Sequence, residues 1–217
     1  MNKLLIFPLV LAAVAGGAWL GLSTIGNKDP VTPETIQGAI YPQAKIINDF
    51  VLQNQNSEKF SKSGFINHWS LIFVGYTHCP DVCPTTLAVM GQIVDIMDEQ
   101  RQPPPQVVFL TVDPARDTSE VIKPYIAYFN KQFIGLTGSL DEINALSRQL
   151  NAVFKKSAKP PGEITDDDYL MDHSSALMLI NPEGNLQSIL TAPHTPGVII
   201  ESILKSQAYY QSLATSQ

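Results

Sequence analysis

The 217-residue sequence predicts an α/β fold, a mixed central β-sheet flanked by helices, behind an amino-terminal transmembrane anchor. Three observations carry that expectation. Short apolar runs alternate with stretches of helical period, an apolar hairpin and a last helix close the chain, and residues 4–25 carry no charge. A hydrophobic fraction of 44% against 16% charged residues can build a core, which excludes a wholly disordered or fibrous chain. Lys and Arg number 14 against 20 Asp and Glu, a net charge of −6, and no cationic run occurs, so nucleic acid is not an expected partner. Two cysteines exclude a scaffold of many disulfides.

As a helix, residues 4–25 would measure about 33 Å, against a hydrocarbon core of about 30 Å. The competing reading is a cleaved signal peptide with Ala13-Val14-Ala15 as its small-residue site. The apolar run, however, continues through Trp19, Leu20, Leu22 and Ile25. Lys3 then stays on the cytoplasmic side, and no Arg-rich, Ser-rich transit peptide is present. The expected location is the bacterial inner membrane, crossed once, with the carboxy-terminal domain in the periplasm. Residues 26–45, with Pro30, Pro33 and Pro42, read as a linker, and residues 46–217 as one domain of ordinary size.

Within that domain, residues 70–76 (SLIFVGY) have the continuous apolar character of a strand buried on both faces. Leu87, Met90, Ile93, Val94 and Met97 recur at helical spacing over residues 85–101, and Pro103-Pro104-Pro105 ends that helix. Residues 107–112 are a second buried strand, followed by Asp113-Pro114 and a helix that Asp117 or Thr118 can cap, with Glu120 in its first turn. A short third strand over 134–136 and a helix over 139–150, with Leu140, Ile143 and Leu146 on one face, continue the alternation. After an irregular stretch at 159–168, strands at 176–180 and 186–191 flank a turn containing Gly184, and a helix runs from 196 to about 213. This order suggests a thioredoxin-like sandwich, a parallel half joined to an antiparallel half.

Both cysteines fall in Cys79-Pro80-Asp81-Val82-Cys83-Pro84, after a buried strand and before a helix, the usual ligand crevice of open α/β sheets. A helix amino terminus favours thiolate there. A disulfide across so short a loop removes little unfolded-state entropy, so functional thiols are the better reading. They could exchange disulfides or bind a metal. Two sulfurs make neither a four-thiolate zinc site nor an iron-sulfur site within one chain, so a metal needs a third ligand. Candidates are His68, His78, His173, His194, Asp81, Asp113 and Met171. His173 is the best placed, because Asp172-His173-Ser174-Ser175 leads into the strand at 176–180, although a lone histidine is also an ordinary loop residue. His78 is expected to point elsewhere, and His68 and His194 to lie on the surface.

Two thiolates and an imidazole form a soft site of low coordination number that favours copper, above all Cu(I). Their net charge is about zero with Cu(II) and about −1 with Cu(I), so one site can hold both states. Asp113, at the end of the second strand, could supply an auxiliary oxygen or a hydrogen bond to a ligand; it could equally cap the Pro114 turn.

The sequence resembles the Sco/SenC family, the membrane-anchored copper-binding assembly factors of cytochrome c oxidase. The resemblance runs through Asp49-Phe50-x-Leu52, Val74-Gly75-Tyr76-Thr77-His78-Cys79-Pro80-Asp81-Val82-Cys83-Pro84, Thr111-Val112-Asp113-Pro114-Ala115-Arg116-Asp117-Thr118, Gly135-Leu136-Thr137-Gly138 and Asp172-His173-Ser174. It implies a thioredoxin-like fold in which Cys79, Cys83 and His173 bind one copper, with Asp113 as the family's carboxylate near that metal. The implied task is maturation of the dinuclear copper centre on oxidase subunit II, with that subunit and other periplasmic copper carriers or thiol reductants as partners. Residues 158–169, acidic at Asp166-Asp167-Asp168 and rich in Pro and Gly, depart from the pattern.

Two functional readings follow. In the first the chain is a copper chaperone that transfers its ion by ligand exchange. In the second, and only there, it is an enzyme, a thiol-disulfide oxidoreductase with Cys79 and Cys83 as the redox pair that reduces the cysteines of the recipient site. Against the second stand the C-x-x-x-C spacing in place of C-x-x-C, and the lack of a proline just before the 176–180 strand. A peroxidase, with one reactive cysteine and a distant resolving partner, finds no support.

Overall fold

The computed structural model describes residues 34–158, 165 and 168–215. The expected anchor at 4–25 and most of the acidic stretch at 159–168 lie outside the described residues. Among the described residues no helix is long and apolar enough to cross a membrane.

The described chain opens with β1 (Gly38–Lys45) and the short strands β2 (Leu52–Asn54) and β3 (Lys59–Phe60). Three strand-helix units follow: β4 (Ser70–Gly75) with α1 (Val82–Glu99), β5 (Gln106–Thr111) with α2 (Ser119–Phe129), and β6 (Ile134–Thr137) with α3 (Leu140–Gln149). A two-stranded ribbon of β7 (Phe154–Ser157) and β8 (Leu170–His173) precedes the hairpin β9 (Leu177–Ile180) and β10 (Leu186–Leu190), and α4 (Pro196–Ala214) ends the fold.

Eight strands form one mixed sheet in the order β1-β10-β9-β4-β5-β6-β2-β3. β4, β5 and β6 run parallel, with Ser70 opposite Gln106 and Gly75 opposite Thr111. β9 pairs antiparallel to β4, so the predicted junction of a parallel and an antiparallel half lies between these two strands. Every residue of β4 is buried, as a strand covered on both faces requires. Leu87, Met90, Ile93, Val94 and Met97 of α1 are all buried, and α1 packs against α2 and α4.

Three readings need correction. The last eight residues of the expected 26–45 linker form β1, which pairs antiparallel with β10. Ile40 is its one buried residue, so no alternation marks it, and Pro42 is tolerated because the strand lies at an edge. α1 starts at Val82, three residues earlier than its apolar period suggests. Pro84 does not prevent this, since the first four amides of a helix have no intrahelical acceptor. Finally, β7 and β8 were not foreseen as a ribbon, because exposed Lys155, Lys156 and Asp172 break any apolar pattern.

Gly135 of β6 lets α2 approach closely, since a Cβ there would stand 2.1 Å from Ile122 Cγ2. Gly135→Ala should therefore push α2 off the sheet and cost about 1–3 kcal/mol. The measurement is the urea midpoint at unchanged m-value; an unaltered midpoint contradicts this packing.

Candidate metal centre

The ladder between β4 and β5 closes with the Val112 amide donating to the Gly75 carbonyl at 2.9 Å. Beyond Gly75 the chain leaves the sheet through Tyr76, Thr77 and His78, and the Cys79 amide turns back to the Tyr76 carbonyl at 3.3 Å. α1 then begins at Val82, which buries Cys83 in its first turn and leaves Cys79 ahead of the helix, partly exposed. Gly75 makes room for this arrangement: a Cβ there would lie 2.9 Å from Cys83 Sγ and 2.9 Å from the Phe109 ring. Both cysteines are free thiols, not the disulfide weighed above.

His173 arrives from the opposite side as the last residue of β8, half-buried, with Phe154 of β7 opposite it. Its ring stands edge-on to Phe73 and Tyr76, each with a centroid separation of 5.9 Å. Nδ1 lies 3.0 Å from the Ser174 carbonyl oxygen, which only accepts, so Nδ1 carries the proton and Nε2 presents its lone pair. That Nε2 is 3.4 Å from Cys83 Sγ. The donor atoms of Cys79, Cys83 and His173 all lie within 4.8 Å of one another. Bonds of about 2.0–2.3 Å to nitrogen and sulfur put three donors around one ion roughly 3.5–4 Å apart, so little closure is needed. The donor set could hold a soft ion such as copper.

The two thiols are unequal. The Cys83 amide, one of the unpaired donors at the start of α1, points at Cys79 Sγ from 3.4 Å. Hydrogen bonding from Cys83 pulls the Cys79 thiol far below the ordinary range, against the opposing effect of burial. The same contact with Cys79, followed by burial, pushes Cys83 upward. One proton therefore leaves the pair readily and the other is retained, with Cys83 as its holder.

The remaining candidates lie elsewhere. Asp113 is buried, and both carboxylate oxygens are engaged, Oδ1 by the Tyr169 hydroxyl at 2.6 Å and Oδ2 by Arg116 Nε at 2.5 Å. The Pro114 turn is closed by its backbone carbonyl, which accepts from the Arg116 and Asp117 amides. Asp113 reaches the centre only through neighbours: Arg116 stacks 3.6 Å from the Tyr169 ring centroid and 5.8 Å from that of Tyr76, which packs on His173. His68 bonds the Gly64 carbonyl and His194 the Ser175 carbonyl, each half-buried rather than on the surface as expected. His78 is exposed beside Thr77, Asp81 is the exposed N-cap residue of α1, and Met171 is buried in β8.

Sequence reasoning offered Asp117 or Thr118 as the cap of α2 and so missed the other role of Asp117. Thr118 occupies the cap position, and the Asp117 carboxylate turns inward to Thr77 and Thr111. The available signal was redundancy, since a helix takes one cap and two cap-forming residues stood side by side. The inequality of the thiols yields a direct test. Iodoacetamide at about pH 6.5, well below an ordinary thiol pKa of about 8.5, should alkylate Cys79 and spare Cys83. Equal labelling of the two, read by peptide mass, contradicts the assignment.

Known proteins are similar to this chain in sequence and fold. The sequence profile of the SCO1/SenC family matches residues 38–208. A mitochondrial SCO2 homolog of Bos taurus is 34% identical over 213 residues, 98% of this chain and 77% of that protein. An SCO2-like protein of Rickettsia felis is 36% identical over 203 residues, 92% of this chain and 94% of that protein. The crystal structure of Arabidopsis thaliana ScoI with copper bound superimposes with a TM-score of 0.68 at 30% identity, covering 74% of this chain and 97% of that one. Profile, relatives and fold agree with the motifs that carry the Cys79, Cys83 and His173 cluster, and the chain belongs to the SCO1/SenC family.

Proposed function

We propose that this protein is a copper chaperone that holds one copper ion through Cys79, Cys83 and His173. It passes the ion on by ligand exchange to the dinuclear copper centre of cytochrome c oxidase subunit II. The observation that carries the reading is the convergence of three donors from two distant stretches, with the His173 Nε2 lone pair already directed at Cys83. Partial exposure of Cys79 leaves one ligand open to an incoming thiolate or imidazole, as exchange requires. The charge-free segment at 4–25 is proposed as a tether in a bacterial inner membrane, which keeps the domain in the periplasm. Asp113 is proposed to act on the centre indirectly, by holding Arg116 against Tyr76.

A thiol-disulfide oxidoreductase is the second reading, and one observation favours it. A partly exposed thiol of depressed pKa beside a buried one is the asymmetry that attack and resolution need. The distinguishing experiment is an anaerobic titration of the reduced full-length chain with copper, following stoichiometry and sulfur-to-copper charge-transfer absorption. One copper per chain with a strong thiolate band supports the chaperone; no stoichiometric uptake with ready disulfide exchange supports the oxidoreductase.

Cys79→Ser and Cys83→Ser should each abolish tight Cu(I) binding. His173→Ala should impair Cu(II) binding most and shift the absorption. Unaltered binding in all three variants contradicts the ligand set. Proton release offers an independent check. Cys79 is already ionised near pH 7 and Cys83 keeps its proton, so the two thiols should release about one proton on loading. Apparent affinity should then fall about tenfold for each unit of pH lowered. A slope near two would mean that both thiols begin protonated.

A further inference from the structure

Asp117 belongs to no ligand set, yet it is fully buried and its carboxylate collects three hydrogen bonds. Thr77 supplies two, from its amide to Oδ2 at 2.9 Å and from its hydroxyl to Oδ1 at 2.5 Å. Thr111, at the end of β5, supplies the third, to Oδ2 at 2.6 Å. The Asp117 backbone carbonyl also accepts from the hydroxyl of Thr137, at the end of β6. A single residue thus joins the carboxyl ends of three parallel strands, and Thr77 stands two residues before Cys79. Because the Thr77 hydroxyl gives its hydrogen to a carboxylate, its oxygen is free to accept from His78 Nδ1, 3.1 Å away. Burial raises the pKa of Asp117, and donors from Thr111 and Thr77 only partly offset that rise. The main-chain ladder already pairs β4 with β5, so the carboxylate is not needed to join those strands. What it adds is a hold on the loop.

We propose that Asp117 is a positioning residue of the metal centre, fixing the loop after β4 through Thr77 so that Cys79 stands beside Cys83 and His173 before the ion arrives. This rests on the copper-binding reading above. The mechanism is preorganisation: a loop ordered in the apo protein need not be ordered by the metal. Outer hydrogen-bond partners of metal ligands typically change affinity 10- to 100-fold when removed.

Asparagine separates hydrogen bonding from charge at this position. Its oxygen can accept from the Thr77 amide and the Thr111 hydroxyl, as Oδ2 does, while its amide donates to the Thr77 oxygen with the hydroxyl turned away. Asp117→Asn therefore keeps the clamp without the charge, whereas Asp117→Ala removes both. Thr77→Val keeps the backbone bond and loses the side-chain one.

The test uses the full-length reduced chain, in detergent, with two readouts: Cu(I) affinity by competition with a chromophoric chelator, and hydrogen exchange of the Thr77 amide in the apo protein. Asp117→Ala should lower Cu(I) affinity about 10- to 100-fold and speed Thr77 exchange, with interior amides of β4 and β5 unchanged. Asp117→Asn should remain within about threefold of the parent chain. If Asp117→Ala does not fold, Thr77→Val decides, with a loss of about tenfold expected. Parental affinity and exchange in the deciding variant overturn the proposal, and so does an Asp117→Asn variant as impaired as Asp117→Ala, which would assign the effect to charge. If the parent chain itself takes up no Cu(I), the copper reading fails, while Thr77 exchange still decides whether Asp117 holds the loop.

Discussion

The parallel pairing of β4 and β5 is the constraint on which the rest of the structure depends. It sets Gly75 beside Thr111, so the two strand-to-helix loops leave the sheet at the same edge and at the same height. The first loop carries Cys79 and delivers Cys83 into α1; the second carries Asp113, Arg116 and Asp117. Because parallel strands present all their carboxyl ends on one side, residues about 35 apart in sequence become neighbours without further design. The antiparallel half then returns the chain beside β4, and the approach to β9 brings His173 against Phe73 and Tyr76.

Packing and electrostatics act on this site in the same direction. Cys83 is pressed against a glycine at the strand end, where burial and contact with Cys79 disfavour its ionisation. Cys79 sits before the first turn of the helix, where an otherwise unpaired amide stabilises its thiolate. The resulting pair, one ionised and one protonated, is suited to receive a soft cation and equally to attack a disulfide. The two proposed roles, copper delivery and thiol reduction, would thus draw on one geometry.

Much of the fold was legible because burial leaves periodic traces. β4, β5, α1 and the terminal hairpin are covered by other elements, and their apolar spacing announced them. β1 and the β7–β8 ribbon were illegible for the opposite reason: they are edge or exposed strands, held by main-chain hydrogen bonds that any side chain permits. Likewise, Cys79 and Cys83 declared themselves through local spacing. Asp117 stayed hidden because its partners, Thr77 and Thr111, are ordinary residues whose roles arise from position alone.

The sequence by itself determined the chemistry: which donors exist, how the two cysteines are spaced, and that a strand and a helix meet between them. Those properties are local, set by residue type and by separations of a few positions. Tertiary structure decided which histidine faces the sulfurs, which of its nitrogens carries the proton, and that Asp113 is committed to Arg116 and Tyr169 while Asp117 holds the loop. These depend on contacts across 90 residues for Cys83 and His173 and 40 for Thr77 and Asp117, and such contacts exist only once the sheet has brought the ends of its strands together.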